Sequence, residues 1–198
     1  MEIKKILNNT LNFSINRLIE IIGITITIIG LLLLISLLSY SPEDPNFIFP
    51  ENTNIQNILG FHGSFISDLF FQSFGLIALL IPFSFIFVGS NIFLNKKILL
   101  IIENLFYTIL YSLFGSLFFS NFYANSFKLF INGNGGFIGK YLESTFLNSL
   151  INLNSQISYY LLMVIITILF LISIQFKIII NTPIILHIKC KLPYISFR

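Results

Sequence analysis

The stretch NGNGGFIGK, residues 132–140, is the glycine-dense segment of a chain built mostly from Ile, Leu, Phe and Asn. Glycines ahead of a lysine raise the chemistry of phosphate binding, in which backbone N–H groups cradle the phosphates and the lysine reaches them. The spacing rejects it. A phosphate loop reads G-x-x-x-x-G-K-[ST]. Counting back from Gly139-Lys140 places Asn134 where the first glycine belongs, and Tyr141 follows the lysine where a magnesium-binding hydroxyl is needed. A dinucleotide fingerprint starting at Gly133 and Gly135 fails at Ile138. The glycines and asparagines suit a tight turn instead, because they tolerate positive φ.

The other candidates for chemistry are sparse. His187 and Cys190 lie three residues apart near the C-terminus, but two ligands do not hold a metal. Cys190 is the one cysteine, so an intramolecular disulfide is excluded and a free, inert thiol is expected. His62 has no ligand at metal spacing; Asp68, six residues on, suits the positive end of a helix dipole. Glu103 is the acidic residue that falls inside an apolar run, close to Lys97, and reads as a surface carboxylate at the membrane edge. Nothing in this set assembles a nucleophile with a base, a metal cluster or a cofactor motif, and no cofactor is expected.

What positions these residues is a membrane. The chain is 198 residues long, 56% hydrophobic and 10% charged, with a mean hydropathy of +0.90. A soluble domain carries roughly a quarter charged residues. Uncharged runs fill 21–42, 69–95, 104–127 and 144–176. About 20 apolar residues cross the hydrocarbon as a helix. The expected fold is an all-α membrane protein with four transmembrane helices near 20–40, 69–93, 99–121 and 157–177. The expected domains are an N-terminal segment 1–19, a membrane domain 20–177 and a basic tail 178–198. The first run is too long for a signal-peptide core and lacks a cleavage site.

Charge sets the expected direction. Lys4, Lys5, Arg17, Lys96, Lys97, Lys177, Lys189, Lys191 and Arg198, nine of the eleven basic residues, fall on one side of this arrangement. Lys128 and Lys140 share the other with Glu43, Asp44, Glu51, Asp68 and Glu143. The positive-inside rule then puts both termini in the cytoplasm and the glycine turn outside. The segment after the turn has an imperfect helical period, so one short helix over 137–150 is expected at the membrane interface or capping the bundle.

Small residues recur at helical spacing: Gly23, Thr27 and Gly30; Gly75, Ala78 and Pro82; Ser112, Gly115 and Ser116. They favour close helix contact, within the chain or between subunits. Pro82 is expected to kink the second span, with a neighbour taking the freed carbonyl. Scarce Ala and Val beside abundant Ile, Asn, Lys and Phe look like drift in an AT-rich genome, which strips single Ile or Asn residues of weight.

SYSPEDPNF (39–47) and NILGFHGSFISDLFFQSFGLIALLIPFSFIFVG (57–89) resemble the N-terminal membrane domain of FtsK/SpoIIIE-type DNA translocases. That family carries S-Y-x-x-x-D-P-[SN] after the first helix and N-x-x-G-x-x-G-[AS]-x-x-[AS]-D before the second. The matching positions are Ser39, Tyr40, Asp44, Pro45, Asn57, Gly60, Gly63, Asp68, Gly75 and Pro82. Gly135, Gly136 and Gly139 are similar to a G-G-x-[IL]-G element before the fourth helix. The resemblance runs over about 15–177. It implies an oligomeric inner-membrane anchor at the division septum. There it would meet other division proteins and serve chromosome segregation, reaching DNA only through an ATPase motor that this chain lacks. A truncated, split or stand-alone product are equally open. A small transporter or channel component is the alternative, and it requires polar groups or broken helices inside the spans; apart from Pro82 and Glu103 none is expected.

Overall fold

The computed structural model describes residues 2–45, 54–124 and 132–175. The expected basic tail 178–198, with His187 and Cys190, lies outside the described residues. Helices run α1 Glu2–Leu38, α2 Gly60–Phe74, α3 Ile81–Asn95, α4 Leu100–Phe122, α5 Gly136–Glu143, α6 Phe146–Leu153 and α7 Ser155–Ser173, with a 3-10 segment, Gly75–Leu80, between α2 and α3. Four stretches among the described residues are long and apolar enough to cross a membrane: Asn9–Leu38, Gly60–Asn95, Leu100–Phe122 and Ser155–Ser173. They run alternately up and down. The molecule therefore has a basic end, carrying Glu20 and Lys96, and a motif end, carrying residues 39–68 and the glycine turn.

The second span departs from expectation in three ways. It begins at Gly60 rather than near 69, because polar Ser64, Ser67 and Asp68 are buried against the loop ahead of it and not left facing lipid. It is broken, not bent. Proline lacks the N–H that would bond the carbonyl four residues back, so Pro82 frees Ala78. That carbonyl is taken by the Ile81 N–H through a 3-10 turn, within the same segment and not by a neighbouring helix. Upstream, Gly75 has φ 70° and ψ −148°, a backbone state open essentially to glycine.

α1 lies along α3 over its most extensive contact, and α4 along α7. Water exclusion drives little helix association in lipid; close packing does. Gly23 and Gly89 supply it: a Cβ on Gly89 would meet the Thr27 hydroxyl at 2.4 Å and the Gly23 carbonyl at 2.6 Å. The small residues of the first span thus serve contact inside the chain. Gly115 likewise admits Ile77 of the 3-10 segment. A buried cluster around Leu37, Phe71, Ala78, Ile81, Tyr111 and Leu162 joins the four spans. At the basic end Glu20 of α1 bonds Arg17 and, at 3.0 Å, the Lys96 ammonium in the turn after α3.

The segment before the fourth span is two helices, not one. Thr145 is extended (φ −92°, ψ 177°) and caps α6 through its hydroxyl, which accepts from Leu147 N. Asn154, extended again, caps α7.

Gly89→Val is expected to force α1 and α3 apart, an overpacking cost of about 1–3 kcal/mol. Thermal unfolding in detergent should show a lowered midpoint, while Ile102→Val, at a 68% exposed position of α4, should leave it nearly unchanged.

Candidate functional site

The motif end is closed by hydrogen bonds from residues spread over three segments. Asp44 is 2% exposed. Its two carboxylate oxygens accept from the backbone N–H groups of Gln56 and Asn57, at 2.8 and 2.9 Å. Asn57 turns the chain into α2: its Oδ1 accepts from Leu59 N, its carbonyl from Gly60 N, and its Nδ2 donates to the Ser36 carbonyl at the end of α1. Ser36 in turn donates to the carbonyl of Gly63, at 2.6 Å, and Ser64 donates to that of Pro45. Gly63 has no room for a side chain, since a Cβ would lie 2.1 Å from Asn57 Oδ1. Asp44, Pro45, Asn57, Gly60 and Gly63 are therefore one network.

Asp68 connects it to the next layer. Tyr40 donates to Asp68 Oδ1 at 3.2 Å, and Gln72 donates to the same oxygen. Burial, then the Asp68 and Asp44 carboxylates, push the Tyr40 hydroxyl well above its ordinary pKa, so it stays a donor. Gln72 holds the glycine turn: its Oε1 accepts from Asn132 N and its carbonyl from Asn132 Nδ2.

That turn docks on the break in the second span. Leu76 N donates to the Asn134 carbonyl at 2.9 Å, and Ser116 of α4 donates to the Phe74 carbonyl at 2.9 Å. The two backbone groups flanking Gly75 are thereby satisfied from outside the span. Asn134 is 1% exposed and its amide donates to the Tyr123 carbonyl. Gly135 and Gly139 lie on Ser116 and Ser120, small groups four apart on both sides, and a Cβ on either glycine would sit 2.5 Å from the Ser116 carbonyl. Gly136 abuts Ser73 and Gly75. Ser120 donates to Glu143, fastening the far end of α5 to α4. The site residues singled out in the sequence gather here, apart from Pro82, which lies further along the span. Their arrangement holds backbone; it offers no nucleophile–base pair.

A second polar set was not expected. Between α3, α4 and α7, within the spans, Ser84, Asn91, Asn104, Thr108, Tyr111 and Ser173 are all buried. Ser84 shares hydrogen bonds with Tyr111 and Ser173, and Asn104 Nδ2 donates to the carbonyls of Ser84 and Ser173 and to the Ser173 hydroxyl. Asn91 donates to Ile174 O and Gln175 Oε1. The legible signal was the helical spacing of Asn104, Thr108, Tyr111 and Ser112. Glu103 is exposed and stands apart from this cluster. His62 is also exposed, and among the described residues no three His, Cys, Asp or Glu side chains gather as metal ligands.

Four spans, one of them broken and sealed by a loop, define a polytopic α-helical membrane module. The family described as the 4TM region of DNA translocase FtsK/SpoIIIE matches residues 16–182, and the chain belongs to it. It is similar to proteins named DNA translocase FtsK. The Rickettsia bellii protein is 36% identical over 74 residues, 37% of this chain and 10% of that protein. The Rickettsia prowazekii protein is 33% identical over 82 residues (40% and 11%), and the Azospirillum brasilense protein 31% over 88 (43% and 14%). The match thus spans about a tenth of the length of the first relatives. No solved structure matches significantly.

Asp44→Ala strands two backbone donors. The Gln56 and Asn57 amides should then exchange hydrogen faster by roughly one to two orders of magnitude, the equivalent of about 1–3 kcal/mol. Gly75→Ala places a methyl against the Asn134 carbonyl, 1.9 Å away. Protection of the Leu76 amide should be lost with it.

Proposed function

We propose that this chain is the membrane anchor module of an FtsK-type DNA translocase, acting in cell division and chromosome segregation. The observation that carries the reading is the family match over residues 16–182, coinciding with four spans closed by the residues of the family-like motifs. The module holds its oligomer in the bacterial inner membrane at the septum, where it meets other division proteins. It performs no chemistry itself; DNA is engaged through a motor that these residues do not carry. Both termini face the cytoplasm, on the strength of the cation distribution. The polar cluster between α3, α4 and α7 contains no carboxylate, histidine or cation, and most of its groups bond one another. It supports helix adhesion over the transporter alternative.

A fluorescent fusion of the full chain is expected to collect at midcell; uniform membrane fluorescence in dividing cells would contradict the proposal. Orientation is tested separately. An impermeant maleimide should reach Glu43→Cys in intact spheroplasts of a Cys190→Ser background. In the unaltered chain it should reach Cys190 only after permeabilisation.

A further inference from the structure

We infer that α6 is a bilayer-surface helix whose Phe146–Leu150–Leu153 face inserts among the lipids, so that the corner before the fourth span is a second membrane contact. The helix divides its circumference three ways. Leu147 and Ile151 turn inward, and Ile151 is buried. Asn148 and Asn152 share a polar side and bond each other. Phe146, Leu150 and Leu153, at i, i+4 and i+7, form a third strip and are 71%, 53% and 82% exposed. An amphipathic helix lying in the plane of a membrane presents such a strip, buried to about 5–10 Å.

What covers it follows from its neighbour. α7 is a spanning helix in which Leu162, Ile166 and Ser173 are buried, while Ile157, Leu161, Val164, Ile168 and Leu171 are exposed and face hydrocarbon. One residue, Asn154, separates the two helices, and Ser158 donates to the Ile151 carbonyl across the corner at 3.1 Å. Leu153 and Ile157, both exposed, stand on either side of that corner. The strip therefore runs on from the lipid-facing surface of α7. A protein partner on this strip would have to compete with the lipids already bounding the adjacent helix.

The chain has no tryptophan, so a single introduced one reports alone. Leu150→Trp, Asn152→Trp and Val164→Trp would be placed in the full chain and reconstituted into phosphatidylcholine vesicles brominated either near the headgroup or deep in the acyl chain. The expected result is strong loss of emission at 150 with shallow bromine and weaker loss with deep bromine, with little loss at 152. Position 164, on the exposed side of α7, should be quenched by deep bromine and so certifies insertion. Leu153→Trp repeats the test should Leu150→Trp fail to insert. Unquenched, red-shifted emission at 150 would overturn the inference by placing the strip in water. Blue-shifted but unquenched emission would overturn it in favour of a protein cover, and equal quenching at 150 and 152 would overturn the surface orientation.

Discussion

Inside a membrane a backbone polar group has no water to fall back on, and each one left unpaired costs several kcal/mol. The second span breaks at Gly75, so its neighbouring N–H and carbonyl need partners from elsewhere. Asn134 and Ser116 provide them. This requirement explains why the glycine turn is where it is. It also explains why the turn has glycines on the side that meets α4: the Asn134 carbonyl reaches Leu76 only if the chain at 135–139 lies against Ser116 and Ser120 without side chains between. The resemblance to a phosphate loop is a by-product of close backbone approach, the same property put to a different use.

The rest of the motif end follows from that docking. Gln72 grips Asn132, Asp68 is shared by Gln72 and Tyr40, and Asp44 and Asn57 tie the loop back onto the end of α1. The same logic, at lower stakes, governs the interior. Asn104 and Ser173 satisfy each other across helices, as polar groups in lipid must.

Much of this was legible in the sequence. Charge spacing marked the spans, because an unpaired charge in hydrocarbon is expensive. Helical spacing marked Gly23 and Thr27 as a contact face. The family-like motifs marked Asp44, Asn57 and Gly63, although not their bonds. One failure comes from reading Asn as compositional drift. Asn91 and Asn104 are both buried at nodes of hydrogen bonding within the spans. Overall composition weighs residue numbers and is blind to where a buried amide has no alternative to pairing. Pro82 misled in a related way. The freed carbonyl was assigned to a neighbour, whereas a 3-10 turn recovers it locally and moves the need for outside help upstream to Gly75. Thr145 split an expected single helix because its capping role is local and weak in a hydropathy pattern.

The most direct test of this account is disulfide formation between Gln72→Cys and Asn132→Cys in native membranes of the Cys190→Ser chain. If the glycine turn seals the broken span, mild oxidation should link the pair rapidly and nearly completely. A pair that stays reduced while an α3–α7 control pair, Ser84→Cys and Ser173→Cys, cross-links would contradict it.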